Sequence, residues 1–193
     1  DLFALYYMAD DKMLELGIFK HPDTYKAAYY QYILNGLMTQ LSRIELGKDV
    51  EEAHMRNRKL IAEWAYEHGK ANNVIEFVKR DGKTFIRVND YVALRNLFGE
   101  LLAEIQRITS TGDYQAGVEL VNKYAVKIDP TLHKEVRQRY DALNIPPYKG
   151  FVNPIYTPVY DKQGNITDVT LDYTEGYIDQ MLRYSRDYSP LTK

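Results

Sequence analysis

The 193-residue chain contains no cysteine. That excludes disulfide bridges and thiolate metal ligands and fits a reducing compartment, with the cytoplasm as the expected location. No Lys/Arg-rich block occurs, and the formal net charge is -2. Neutralising a phosphate backbone requires a concentrated basic footprint, so nucleic acid is not an expected partner. No apolar run approaches the ~20 residues of a membrane span, and the N-terminus lacks a basic lead followed by an apolar segment, so no membrane partner is expected either. Self-contained catalytic signatures are also missing: there is no Gly-rich phosphate loop, no G-x-S-x-G and no H-E-x-x-H. The histidines, His21, His54, His68 and His133, lack the short spacings of a zinc site. His54 and His68 share one expected helix, where fourteen residues separate them by about 20 Å, too far to share a metal. Neither a repeat of fixed period nor a low-complexity segment is present.

What is present is mostly helical. The 45% hydrophobic content is that of a globular protein with an ordinary core. Leu2, Leu5, Tyr6 and Met8, then Met13 and Leu14, give a helix bent near Asp10-Asp11 and ended by Gly17. A long helix starting at Asp23 carries Tyr25, Tyr29, Ile33, Leu37, Leu41 and Ile44 at helical spacing, and Gly36 within it marks a close crossing or a bend. Its tyrosines at 25, 29, 30 and 32 read as packing residues rather than a substrate cage. Residues 74–80 and 83–88 alternate around Asp81-Gly82, the pattern of a tight hairpin. A broad-faced helix follows from Asp90 to the Ser110-Thr111-Gly112-Asp113 break, and two shorter helices cover 114–124 and 130–143. Pro146-Pro147 then breaks the pattern. The expected domains are accordingly 1–150, a helical portion, and 151–193, a β-hairpin with a terminal helix over 174–187. The fold class is mainly α, a helical domain with two β-hairpins.

The segment 49–69 carries the candidate site. Asp49 has the residue type of an N-cap, Glu52 follows three positions later as in a capping box, and Gly69 is placed to stop the helix. Val50, Ala53, Leu60, Ile61, Trp64 and Ala65 form the expected core stripe. His54 and Arg58 lie on one side, at the border between core and water. A lone helical histidine is more often a satisfied boundary residue than a catalytic one, and its functional reading comes from a resemblance.

Asn35-Gly36-Leu37-Met38, Glu51-Glu52-Ala53-His54-Met55-Arg56-Asn57-Arg58, Ser110-Thr111-Gly112-Asp113 and Met181-Leu182-Arg183-Tyr184-Ser185, in this order, resemble the C-terminal part of the dipeptidyl peptidase III family of zinc metallopeptidases, particularly its bacterial members. The likeness spans essentially the whole chain, and A-H-M-x-x-R at His54 is its most specific motif. The resemblance implies a two-lobed enzyme that releases dipeptides from the N-termini of short peptides. Its zinc would be held by an H-E-x-x-x-H motif and a following glutamate motif. Asp1-Leu2 is similar to the tail of that second motif, which implies that the metal ligands and the general-base glutamate precede this chain. The chain would then be a fragment that binds no zinc itself and is inactive without the N-terminal part of its own polypeptide. By the same resemblance, His54 faces the cleft and hydrogen-bonds the substrate carbonyl or developing oxyanion, while Arg58 orients a peptide carboxylate or braces His54. The basic pair of eukaryotic members has no counterpart in Phe151-Val152-Asn153-Pro154. The segment after residue 150 would cross to the other lobe. The alternative is a non-catalytic helical module whose tyrosine-rich surface binds a protein partner.

Overall fold

Three aspartates begin three consecutive helices by the same device, a carboxylate oxygen accepting from a backbone N–H that has no partner inside the helix. Asp90 accepts from Ala93 N at 2.8 Å, Asp113 from Ala116 N at 3.1 Å and Asp129 from Leu132 N at 2.7 Å. The computed structural model describes residues 1–144 and 152–188. In chain order they form α1 (Leu2–Met8), α2 (Lys12–Glu15), α3 (Thr24–Leu37), a 3-10 segment (Thr39–Arg43), α4 (Ala53–Gly69), β1 (Ile75–Arg80), β2 (Lys83–Val88), α5 (Tyr91–Thr111), α6 (Tyr114–Val121), a π turn (Asn122–Val126) and α7 (Pro130–Ala142). Then come β3 (Ile155–Tyr160), β4 (Ile166–Asp172) and α8 (Tyr177–Tyr188). The fold is thus mainly α with two antiparallel hairpins. Among the described residues no helix is long and apolar enough to cross a membrane.

The chain divides into two compact units, Asp1–Ile145 and Pro146–Lys193. The break expected at Pro146-Pro147 lies outside the described residues. In the first unit α4 is the central helix, packed against α3, α5, the π turn and β1. Ile61, Ala62 and Ala65 of α4 are essentially inaccessible, as are Tyr29 and Ile33 of α3 and Leu94, Phe98 and Leu101 of α5. Tyr29 packs edge-on against Phe98 with ring centroids 5.0 Å apart, and its hydroxyl donates to Leu5 O at 2.6 Å. The buried tyrosine therefore keeps its polar end satisfied. Tyr25 and Tyr32 lie half-buried against the same core as packing residues, and Tyr30 is half-buried. In the β1–β2 turn Asp81 and Gly82 both have positive φ, 50° and 72°, the backbone of the tight hairpin turn read from the sequence.

Several sequence expectations are corrected. The central helix begins at Ala53, not Asp49, and Glu52 is its cap, accepting from His54 N at 3.0 Å and Met55 N at 2.9 Å. Residues 49–52 instead form an extended lead-in: Val50 N donates to Val126 O at 3.0 Å, and Asp49 pairs with Lys127 at 2.7 Å. Ala53 is exposed, whereas Val50 is buried by this long-range pairing rather than by helical periodicity. The α-helix ends at Gly69 as expected, but not through a left-handed glycine: Gly69 has φ -81°, and the chain continues as a 3-10 turn to Asn72 before Asn73 takes the left-handed conformation at φ 51°. Gly69 lies where a Cβ would meet Val74 Cβ at 2.9 Å, a packing requirement.

The third helix also stops sooner than its pattern, at Leu37 rather than Ile44. Beyond it, α7 grips the carbonyls of the 3-10 segment and its exit: His133 Nε2 donates to Ile44 O at 3.0 Å, and Arg137 donates to Ser42 O at 2.7 Å. His133 is therefore a satisfied core histidine in its Nε2–H tautomer. The remaining differences are at boundaries. α6 gives way to the π turn after Val121, and α8 starts at Tyr177 rather than Thr174. In the second unit Gln180 is fully buried and makes a two-way pair with Asn153, accepting from its N at 2.9 Å and donating to its O at 2.6 Å.

Gly36 occupies the α3–α4 crossing. A Cβ placed there would lie 2.5 Å from Ala62 Cβ and 2.6 Å from Arg58 O, so the helix axes approach only because the side chain is missing. Gly36→Ala is expected to destabilise the protein by about 1–3 kcal/mol in chemical denaturation. Gly117 in α6 meets nothing nearer than Ile108 Cγ2 at 3.5 Å. Gly117→Ala should therefore stabilise by about 0.4–1 kcal/mol, and equal effects of the two changes would refute the crossing argument.

Candidate functional site

His54 is the second residue of α4, and its side chain is exposed. Its backbone N–H is held by Glu52, and its imidazole makes no hydrogen bond among the described residues. The two backbone N–H bonds, from His54 and then Met55, hold the Glu52 carboxyl below the usual carboxylate range. The first turn of α4 is also tied down by Arg56, whose Nε donates to Val50 O at 2.7 Å. Arg58 stands one turn after His54 on the same side of the helix and is half-buried. It lies beside Tyr32, whose hydroxyl is pushed up to about 12 by burial, with the Arg58 charge opposing that shift. Tyr32 and Asn57 both donate to Asp1 Oδ2, at 3.1 and 2.7 Å. The expected pair is therefore brought together on one helix side. It consists of a solvent-facing imidazole on an anchored first turn and a guanidinium against the α3 surface.

A second group of polar side chains sits on another face of α4 and was missed by sequence reasoning. Lys59 and Glu63 lie about 140° or more around the helix from His54 at 100° per residue. They line a cleft of about 380 Å³ bounded by Leu37, Leu41, Phe77 and Leu132. Lys59 is buried, and its Nζ donates to Glu63 Oε2 at 2.7 Å. Across the cleft Glu135 of α7 accepts from Thr84 N and Thr84 Oγ1, both at 2.6 Å, and from Lys79 Nζ at 3.0 Å. Arg139 adds a contact at 3.3 Å. Burial alone would raise the Glu135 carboxyl, but the hydrogen bonds from Thr84 and the Lys79 ammonium outweigh it and bring it down to about 2. The only signal in the sequence was the Lys59–Glu63 spacing, which is also that of an ordinary exposed pair on a solvated helix.

Among the described residues no group of three His, Cys, Asp or Glu side chains is arranged to hold a metal ion. His68 stacks on Trp64 with centroids 3.8 Å apart and bonds Trp64 O at 2.9 Å, remote from His54 on the same helix. No protein-family model matches the chain, and no curated protein shows significant similarity to it.

The Glu135 network has a pH signature. Its carboxylate titrates near 2 when folded and at the ordinary 4.5 when free, so its contribution is complete above pH 4.5 and is lost as pH falls toward 2. Glu135→Gln is expected to cost about 1–3 kcal/mol at neutral pH. The difference from the parent protein should shrink across that acid window, as urea unfolding at several pH values would register; a pH-independent difference would contradict it.

Proposed function

We propose that this chain is the C-terminal portion of a zinc-dependent dipeptidyl peptidase, with His54 as the residue that stabilises the oxyanion. The observation that carries the reading is the state of His54: an exposed imidazole with no hydrogen bond among the described residues, on a helix turn fixed by Glu52, Arg56 and the Gly36 crossing. A donor lowers the barrier to acyl transfer only if it is already positioned when charge develops, and a packed helix supplies that position without reorganisation. Arg58 is set to receive a substrate carboxylate or to hold His54 electrostatically. The described residues do not themselves fit a zinc site. In this reading, as the resemblance implies, the metal ligands come from polypeptide preceding Asp1. Substrates would be short peptides.

A second reading, a non-catalytic interaction module, is favoured by the exposed apolar residues of the second unit, with Tyr156 64%, Ile178 72% and Leu182 55% accessible.

The two readings separate at His54. In the polypeptide that contains this chain together with the preceding region, His54→Ala is expected to lower kcat for dipeptide release by about 10²–10³, with an unchanged unfolding profile. The 193-residue chain alone is expected to be inactive. Unaltered turnover would favour the module, and zinc-dependent dipeptide release by the isolated chain would overturn the assignment of the metal ligands.

A further inference from the structure

The cleft between α4, the β1–β2 hairpin and α7 is not used by the peptidase reading, and its chemistry is more specific than that of an ordinary surface depression. Its volume of about 380 Å³ is within the range of small-molecule sites. Leu37, Leu41, Phe77 and Leu132 supply an apolar wall. The polar groups fall into two kinds. Those at the hairpin side are spent, because Glu135 already accepts from Thr84, Lys79 and Arg139. Those on α4 are not. Lys59 Nζ gives one N–H to Glu63 Oε2 and finds no other hydrogen-bond acceptor among the described residues, although its side chain is only 8% accessible. Glu63 has an oxygen, Oε1, with no hydrogen-bond donor.

A largely buried ammonium with two N–H groups that no protein acceptor takes is stabilised by an anionic acceptor, because one carboxylate replaces only part of the water that burial displaces. An anion alone would, however, stand beside Glu63, and a cation alone beside Lys59. The ionisable lining as a whole is neutral, with Lys59, Lys79 and Lys127 against Glu63, Asp129 and Glu135. The occupant that satisfies both free valences without adding net charge carries its own carboxylate and ammonium a few ångströms apart, with an apolar group for the wall.

We propose that this cleft binds a zwitterionic α-amino acid with an apolar side chain, its carboxylate on Lys59 and its ammonium on Glu63. The four charges then alternate around a ring, and the side chain lies toward Phe77 and Leu132. The site is on a different face of α4 from His54, and the proposal does not depend on the peptidase reading.

The test is a ¹H–¹⁵N chemical-shift titration of the 193-residue chain with leucine and with its two half-ligands, 4-methylpentanoate and 3-methylbutylamine. Leucine should give saturable shifts at the amides of residues 59–66, 77–84 and 128–135, and each half-ligand should bind at least about tenfold more weakly. Lys59→Met, which keeps the aliphatic stem, should abolish leucine binding, and Glu63→Gln should reduce leucine affinity while leaving 4-methylpentanoate affinity unchanged or higher. The half-ligand comparison uses the unaltered chain, so it stands even where a variant fails to fold. No saturable shift with leucine, shifts confined to other residues, or a half-ligand binding as tightly as leucine would each overturn the proposal. Dipeptide release is not measured, so none of these outcomes bears on His54.

Discussion

The first unit depends on how closely α3 and α4 approach at Gly36. With only hydrogen where a Cβ would meet Ala62 Cβ at 2.5 Å, the two backbones come nearer than ordinary side chains permit. That contact seats α4 at the centre of the unit, where α3, α5, the π turn and β1 pack on it. α5 brings Leu97 to Gly69, Tyr124 of the π turn packs its ring near His68, and Ile75 of β1 is buried in the same core. Small residues at 62 and 65 continue the same logic along α4, where alanine is fully buried and any larger side chain would have to displace a neighbouring helix.

Because α4 is packed on so many sides, its few accessible strips acquire distinct characters. One end presents His54 on a turn held by Glu52 and by Arg56 on Val50 O. Another strip presents Lys59 and Glu63 to a cleft walled by the first hairpin and α7. Rigidity is common to both, since neither strip can shift without disturbing the Gly36 crossing. Their solvation differs: the imidazole faces water, and the ammonium is withdrawn from it.

Features determined by neighbours in the chain were legible in the sequence. Asp81-Gly82 dictated the hairpin turn, and Asp90 announced a helix start because a cap needs only the residues that follow it. Features determined across the chain were not. Asp49 looks like a cap, but Lys127, 78 positions away, takes its carboxylate, and Val50 leaves the helix to pair with Val126. The pattern running to Ile44 looks continuous, yet α3 ends at Leu37, the chain tightens into a 3-10 segment, and His133 and Arg137 of α7 take the Ile44 and Ser42 carbonyls. Lys59 reads as a solvated face residue because lysine usually is one, and only the arrival of α7 and the hairpin buries it. Spacing put His54 and Arg58 on one helix side at the border between core and water; in the structure Arg58 is half-buried there, but His54 is exposed because the helix begins only one residue before it. Their chemistry was supplied by resemblance, not by periodicity.

The second hairpin poses a separate problem of alignment. Every residue of β4 is exposed, so no hydrophobic face distinguishes the observed pairing, Ile155 opposite Asp172 and Thr157 opposite Thr170, from one slipped along the strand. The information that sets the alignment resides instead in the loop. There Asp161 accepts from Gln163 N at 2.8 Å, from Asn165 N at 2.9 Å and from Asn165 Nδ2 at 3.0 Å, and it fixes how many residues the turn consumes. In β1–β2 the core remembers the register. In β3–β4 a single carboxylate does the counting, which makes the pairing of that ribbon a property of five loop residues and lets its two faces vary freely without losing their place.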